Sequence, residues 1–200
     1  MGGSVPPQGT TLVPRGMLDG KRYACTLLAI AASSPLADRP MPSVYLETTI
    51  PSFLVARFSQ DDGLAEKQAI TRTWWDRHRH RYEFVTSEVV LVEAGSGDTS
   101  VATQRLLAMQ GIRVLADSPE VDFIATELIR RRLLPSKARL DAVHVAFAAV
   151  YQVDFLATWN CRHLANTNIR SAIKGLFDEL GKHVPVVCTL TELMELRHDH

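Results

Sequence analysis

The sequence predicts an α/β fold of three layers, in which a mostly parallel central sheet is flanked by helices. From residue 43 onward, short runs rich in β-branched and aromatic residues alternate with segments whose apolar residues have helical spacing. The connections between these segments are short, and strands that alternate with helices in this way favour parallel pairing. The predicted strands cover residues 44–46, 82–86, 112–116, 154–158 and 184–188.

The predicted helices have recognisable start and stop signals. Ser87 is a good N-cap for a helix that begins at Glu88, and Pro119 suits the first position of another helix. Gly111 follows the end of a third helix, where a left-handed residue is common. Pro51 permits the first turn of a helix after the first strand. The helix that begins at Glu88 is broken by the glycine-containing segment at 95–98. The other predicted helices cover residues 62–80, 99–110, 118–133, 138–151 and 169–180.

The first 40 residues differ in composition from the rest of the chain. They are rich in Gly, Pro, Ser and Thr and have no sustained periodicity, so they offer little apolar surface to offset the entropy of ordering. We expect residues 1–40 to be a disordered leader or a gene start assigned too far upstream. One domain is expected over residues 41–195, followed by a tail at 196–200.

One part of this leader loosely resembles a signal peptide. Lys21 and Arg22 precede a short apolar run at residues 24–32. Met1 lies far upstream of that run and Asp19 falls within its charged flank, so we do not expect secretion. No apolar run is long enough to span a bilayer, and no membrane association is expected.

Charge and cysteine content limit the function classes. The chain has 22 basic and 22 acidic residues, so its formal net charge is zero, which argues against a large electrostatic footprint for nucleic acid but leaves room for a local basic patch. The three cysteines lack metal-ligand spacing and argue against a disulfide framework and a zinc site. We expect reduced thiols and a cytoplasmic location.

Polar residues at the ends of two predicted strands indicate where chemistry takes place. Glu47 directly follows the first strand, and Asn160 follows the strand at 154–158. In an open parallel sheet, the carboxyl ends of the strands form one edge, and ligands bind there. We therefore expect Glu47 and Asn160 to lie at the same rim.

Two acidic residues on predicted helices are expected to join them. Glu93 lies in the helix capped by Ser87, and the neighbouring valines favour it over Glu88 as the acid that faces the sheet. Asp141 begins a helix that is apolar nearly all round, where an ionised acid is costly unless it is paired or binds a metal ion. The positive end of the helix dipole offsets part of that cost.

Carboxylates that converge on one rim repel each other, and a divalent cation relieves the repulsion. Mg²⁺ prefers oxygen ligands and keeps several waters, so two or three acids and a substrate phosphate suit it, and Mn²⁺ is expected to substitute. Such an ion supports phosphodiester hydrolysis. Each residue also has an ordinary explanation: Asp141 as a helix cap, Glu93 as an exposed helical charge, Glu47 as a turn residue and Asn160 as a turn cap.

Four short motifs, in this order, resemble those of PIN domains. The segment Tyr-Leu-Glu-Thr-Thr at 45–49 resembles their opening strand, and Ser87 followed by Glu93 resembles the second motif of the toxin members. Asp-Ala-Val-His at 141–144 resembles the third motif, and Leu-Ala-Thr-Trp-Asn at 156–160 the fourth. Each motif is weak alone, but the four together are similar to the VapC toxins of bacterial toxin–antitoxin pairs.

The resemblance implies a Mg²⁺-dependent endoribonuclease that is held inactive by a cognate antitoxin and forms a homodimer. Carried over by motif, Glu47, Glu93 and Asp141 would bind the metal ion, with Asn160 assisting in catalysis. Two positions depart from the usual pattern: Glu47 stands where Asp is commoner, and the uncharged Asn160 puts a second metal ion in doubt. An inactive PIN-like module that binds RNA or protein, and a metal-dependent phosphatase, remain as alternatives.

Two basic stretches are candidates for contact with RNA. The first lies at residues 72–81 and includes Trp74 and Trp75, although exposed helix faces and core tryptophans explain it slightly better. The second lies at residues 130–139, just before Asp141, and we expect it to contact substrate. The possible RNA contacts are Arg132, Arg139 and Arg162.

Overall fold

The predicted α/β architecture is confirmed by the strand pairing. A computed structural model describes residues 41–160, residue 164 and residues 167–196. Within these residues, five strands form one sheet in the order β3-β2-β1-β4-β5, and all of their pairings are parallel. The strands are β1 (Ser43–Leu46), β2 (Glu83–Ser87), β3 (Arg113–Leu115), β4 (Phe155–Ala157) and β5 (Val186–Cys188). The leader at 1–40 and the end of the tail at 197–200 lie outside the described residues.

Helices connect the strands and cover both faces of the sheet. The stacking of Trp74 on Phe84 joins one face to the helix that carries this tryptophan. On the opposite face, Tyr45 stacks against Phe147 at 6.3 Å between ring centroids. The helices of the described residues are α1 (Thr49–Val55), α2 (Asp62–His78), α3 (Glu88–Ala94), α4 (Thr99–Ala108), α5 (Pro119–Arg130), α6 (Arg139–Val150), α7 (Thr167–Leu180) and α8 (Leu190–Glu195).

The order of the strands creates a switch point between β1 and β4. From β1 the chain moves outward through β2 to β3, and it then returns to place β4 on the other side of β1. The connections that leave β1 and β4 therefore run to opposite sides, which opens a crevice at the carboxyl ends of these two strands. Leu46 and Ala157 are paired there, so the residues that follow them begin the crevice.

Helix α6 supplies much of the apolar core against β1. Seven of its residues are buried, because small alanines and valines let it approach the sheet closely: Ala142, His144, Val145, Ala146, Phe147, Ala148 and Ala149. A polar histidine stands among them and therefore needs hydrogen-bond partners inside the fold. This helix consequently has both a structural role and direct access to the crevice.

Several predicted helix boundaries differ from those of the structure by one to three residues, and the structure adds one helix. Helix α5 ends at Arg130 instead of 133, because Arg132 adopts a left-handed backbone with φ of 59° and the following amides turn back onto the carbonyl of Leu128. Helix α8 was not predicted. Its signal was a capping box in which Thr189 and Glu192 bond each other's backbone amides.

Candidate active site

Glu47 lies at the bottom of the crevice and is almost completely buried. It directly follows β1 and is 5% exposed. The Thr49 hydroxyl donates to its Oε2 at 2.5 Å. Burial raises the pKa of the Glu47 carboxyl above its usual value and outweighs the opposing effects of nearby His144 and of hydroxyl donors. Among the ion pairs of the described residues, none includes Glu47, so a buried acid faces the crevice without a cationic partner.

Thr49 connects the ends of the two central strands. Its hydroxyl donates to Glu47 and accepts a hydrogen bond from the backbone amide of Trp159 at 2.9 Å. Immediately after Trp159, the amide of Asn160 donates to the hydroxyl of Thr158 at 2.9 Å. The bond between Thr49 and Trp159 holds the segments after β1 and β4 side by side.

Glu93 reaches the same region from helix α3. Its Oε2 accepts hydrogen bonds from the Thr48 hydroxyl at 2.7 Å and from His144 Nε2 at 3.1 Å. Burial alone would raise the pKa of Glu93, but the hydrogen bonds from His144 and Thr48 outweigh it and hold this pKa below its usual value. Glu88, in the first turn of the same helix, is exposed. Of the two acids, Glu93 is therefore the one next to the end of β1.

Asp141 lies in the first turn of helix α6, but it does not cap that helix. The helix begins at Arg139, and its N-cap residue, Ala138, makes no side-chain capping bond. The side-chain amide of Asn160 instead donates to Asp141 Oδ1 at 3.0 Å. The two residues lie 19 positions apart in sequence and meet across the crevice.

His144 is buried and does not reach the surface. Its side chain is 2% exposed, and its two ring nitrogens bond Tyr45 Oη and Glu93 Oε2. Direct contact between His144 and a substrate is therefore not supported. Sequence reasoning missed Tyr45, whose signal was a hydroxyl-bearing side chain two residues before Glu47 on the same face of a buried strand.

The donor set suits Mg²⁺ in chemistry but is not gathered into a ready metal site. The crevice holds three carboxylates and an amide, which are the oxygen donors that Mg²⁺ prefers. Within residues 41–160, 164 and 167–196, no three Asp, Glu, His or Cys side chains converge closely enough to hold a metal ion. Each acid is instead bonded to a neighbouring donor: Glu47 to Thr49, Glu93 to Thr48 and His144, and Asp141 to Asn160.

The second basic stretch divides into paired and exposed residues. Arg130 and Arg131 both bond Glu127, and Arg131 also pairs with Glu179. Arg132 is exposed, and Arg139 is an exposed residue 3.8 Å from Asp122. Arg162 lies outside the residues that the structure describes. Arg132, Lys137 and Arg139 are thus the exposed members of this stretch that do not bond Glu127, and Arg139 is the first residue of α6.

The first basic stretch lies at the opposite edge of the sheet. Its arginines at 79 and 81 immediately precede β2, so they belong to the amino end of the strands. Trp74 is fully buried and Trp75 is 9% exposed, which explains both tryptophans as core residues. Arg72 donates to the backbone carbonyls of Leu54 and Ala56. The arginines at 79 and 81 therefore lie at the end of the sheet opposite Glu47, whereas Arg72 is bonded to the end of α1.

Two clefts flank the edge strand β5, with volumes of about 300 and 260 Å³. Arg170 and Val187 border both clefts, and none of the candidate site residues lines either one. The candidate site lies instead at the switch point, where hydrogen bonds join the segments after β1 and β4 to each other and to α3 and α6. In the part of the chain that the structure describes, no helix is both long and apolar enough to cross a membrane.

Comparison with known proteins finds similar solved structures and no sequence match. No family model matches the chain, and no curated protein matches it. The structure is similar to a chain in the crystal structure of VapBC2 from Rickettsia felis bound to a DNA fragment from their promoter, with a TM-score of 0.42 and 13% sequence identity. The similarity covers 73% of this chain and 97% of that chain. The α/β fold described above rests on the strand pairing of this chain and not on that similarity.

Proposed function

We propose that this protein is a PIN-type endoribonuclease that uses Mg²⁺ to hydrolyse RNA phosphodiester bonds. The observation that carries the proposal is the position of Glu47, a buried acid without an ion pair among the described residues, at the switch point of a parallel sheet. Glu93 and Asp141 flank the same crevice from two helices. A cation would offset the cost of burying Glu47 and the repulsion among the three acids.

In this proposal, each residue of the crevice has a defined task. Glu47, Glu93 and Asp141 would hold the metal ion, and Asn160 orients Asp141 through its 3.0 Å hydrogen bond. When bound, Mg²⁺ supplies an activated water and neutralises charge on the leaving oxygen.

Arg132 and Arg139 contact the RNA backbone in the proposed complex. Both are exposed beside helix α6, which carries Asp141 in its first turn. Arginine binds phosphate strongly through its planar set of donors. The zero net charge of the chain suits a few such local contacts better than an extended basic surface.

The biological setting is proposed from the motif resemblance alone. A toxin of the VapC type acts in the cytoplasm, forms a homodimer and is inhibited by a cognate antitoxin protein. The order of the four motifs supports this setting for the present chain. We expect the purified protein to be active only when no antitoxin is bound.

One observation favours a second candidate, a PIN-like module that binds RNA without cutting it. The acids of the described residues are bonded to neighbouring donors and are not gathered into a three-ligand group. A binding module needs no such group. The two functions differ in whether RNA is cleaved and in whether a divalent ion is required.

Cleavage of a mixed cellular RNA pool by partner-free protein tests the proposal. The assay is run with Mg²⁺ and with EDTA, on the wild type, on Asp141→Asn and on Asp76→Asn, a matched change at an exposed acid of α2. We expect discrete cleavage that needs Mg²⁺, is lost in Asp141→Asn and persists in Asp76→Asn. Folded protein that leaves RNA intact in every lane but retards it in a gel would favour the binding module. Turnover of a chromogenic phosphoester with RNA untouched would favour a phosphatase.

A further inference from the structure

A buried chain of hydrogen bonds runs from the backbone of helix α3 through the core to Glu93. The amide of Val90 donates to Ser87 Oγ at 3.5 Å, and Ser87 Oγ lies 2.6 Å from Tyr45 Oη. Tyr45 Oη lies 3.0 Å from His144 Nδ1, and His144 Nε2 lies 3.1 Å from Glu93 Oε2. Ser87, Tyr45 and His144 are buried, so these bonds are protected from competing water.

The two ends of this series of hydrogen bonds, Ser87 and Glu93, determine which group donates and which accepts at each step. Glu93 Oε2 lies 2.7 Å from the Thr48 hydroxyl and 3.1 Å from His144 Nε2, and because a carboxylate oxygen accepts, Nε2 carries a hydrogen. If His144 Nδ1 accepts from Tyr45, then Ser87 donates to Tyr45 and every hydroxyl hydrogen has an acceptor. In the opposite direction, the hydroxyl hydrogen of Ser87 has no acceptor among the described residues. The first arrangement satisfies all groups and is the one we assign.

The hydrogen bonds to Glu93 use one carboxylate oxygen and leave the other without a described hydrogen bond. Oε2 accepts from both His144 and Thr48, whereas Oε1 has no hydrogen-bond partner among residues 41–160, 164 and 167–196. A carboxylate fixed by two donors on one oxygen cannot rotate without losing both bonds. The two bonds therefore favour one orientation of the Glu93 carboxylate, with Oε1 as its oxygen without a described partner.

We propose that Tyr45 and His144 are positioning residues that hold Glu93 so that its Oε1 is the metal-binding atom. The inference rests on the proposed function, because it needs a divalent ion in the crevice. Hydrogen bonds from groups behind a metal ligand commonly change metal affinity by about 10- to 100-fold. A series of hydrogen bonds with a purely structural role could end on any buried carbonyl. This series ends on the half-buried acid Glu93, close to Glu47.

Four substitutions separate positioning from general stability. His144→Leu removes the donor to Glu93, whereas His144→Gln keeps an N–H group close to the position of Nε2. Tyr45→Phe removes only the hydroxyl that bonds Nδ1. Tyr151→Phe is the matched control: it also removes one hydroxyl from a buried tyrosine, whose partner is the carbonyl of Ala116 at 2.6 Å, in a part of the core that does not bond Glu93.

The affinity for Mn²⁺ alone, measured by electron paramagnetic resonance of the free ion, is the first readout. We expect His144→Leu to weaken binding by about 10- to 100-fold, as for other residues behind a metal ligand. His144→Gln is expected to recover most of that loss. The Mn²⁺ affinity of Tyr45→Phe is expected to lie between those of His144→Gln and His144→Leu. Tyr151→Phe is expected to keep wild-type affinity even where its melting temperature falls.

The ¹⁵N chemical shifts of the His144 ring in metal-free protein are the second readout and need no bound ion. The sequence has seven histidines, and His144→Gln identifies the signal by its loss. We expect a protonated Nε2 and an unprotonated, hydrogen-bonded Nδ1. Tyr45→Phe is expected to move the Nδ1 signal toward that of a free acceptor, while Tyr151→Phe leaves it in place.

The outcomes distinguish this inference from the proposed function. Wild-type protein that binds Mn²⁺, with folded His144→Leu binding it equally well, would overturn the positioning role and leave the nuclease proposal intact. A protonated Nδ1 would overturn the assigned direction of the chain. Folded wild-type protein that binds no Mn²⁺ at all would overturn both proposals.

Discussion

The side-chain amide of Asn160 donates to Asp141 Oδ1 at 3.0 Å and so joins the segment after β4 to the first turn of α6. An aspartate at position 160 would place a second carboxylate against Asp141, which the amide avoids. Two acids there would repel each other, whereas the amide donor and the carboxylate attract.

Asn160→Asp is expected to make the protein depend more strongly on metal. Replacing the donor by a second carboxylate should cost on the order of 1 kcal/mol of folding stability without metal, and Mg²⁺ should restore it. Thermal unfolding with EDTA and with Mg²⁺ measures both effects. The control is Gln152→Glu, the same amide-to-acid change at an exposed residue. An equal response to Mg²⁺ in wild type, Asn160→Asp and Gln152→Glu would contradict a metal site at Asp141.

Glu47→Gln is expected to stabilise metal-free protein above about pH 5, the region above the usual pKa of a glutamic acid. Folding raises the pKa of Glu47, so the folded state holds this proton more tightly than the unfolded chain. That contribution is fully present below the unfolded-state pKa and is lost as the pH rises through the folded-state pKa. The variant escapes this loss, and each kcal/mol gained raises the melting temperature by roughly 2–4 °C.

The measurement is the melting temperature of both proteins between about pH 3 and pH 8, a range that begins about one unit below the usual pKa of a glutamic acid. We expect the two curves to meet near the acidic end and to separate as the pH rises. Adding Mg²⁺ should stabilise the wild type and not the variant. Curves that stay parallel across the range would mean that Glu47 does not titrate in the folded protein as its burial requires.

Thr49→Val is expected to destabilise the protein by about 1–3 kcal/mol, the cost of leaving buried polar groups unsatisfied. The threonine hydroxyl donates to Glu47 and accepts from the amide of Trp159, so valine removes both bonds at nearly constant volume. Thr49→Ser keeps the hydroxyl and should retain most of the stability. Urea unfolding of the three proteins measures these losses. A larger loss in Thr49→Ser than in Thr49→Val would point to packing of the methyl group instead.

Arg132→Gln and Arg139→Gln are each expected to weaken RNA binding and to reduce its salt slope by about 1. Both arginines are exposed beside α6. Fluorescence anisotropy of a labelled single-stranded RNA in EDTA, over a range of salt concentrations, measures binding without cleavage. Arg81→Gln, the same change at an exposed residue of the opposite edge, should have no effect. A larger loss of RNA affinity in Arg81→Gln would indicate that RNA binds at that edge of the sheet instead.

The strand–helix alternation and the strand ends could be predicted from the sequence because they depend on local patterns. Ser87 caps α3 as its residue type predicts, and Glu47 follows β1 directly. Parallel pairing followed from the alternation itself. The placement of Glu47 and Asn160 on either side of the switch point depends on strand order, which the local pattern does not contain.

The contacts that organise the acids could not be predicted because they join distant parts of the chain. Tyr45 and His144 lie 99 positions apart, and their hydrogen bond depends on how α6 is set against β1. Arg131 looked accessible in the sequence but pairs with Glu179, 48 positions away. Helix α8 is only six residues long and has too few turns for a periodic signal, although its capping box was readable.

The central claim is that one divalent ion, held by Glu47, Glu93 and Asp141, is required for RNA cleavage. The most direct test measures Mn²⁺ occupancy and the rate of cleavage of a defined oligoribonucleotide in the same samples, across one series of Mn²⁺ concentrations. The account predicts that the rate rises in proportion to occupancy, with one ion per chain, and that Asp141→Asn lowers both. Cleavage that proceeds at full rate in folded protein without bound Mn²⁺ would contradict it.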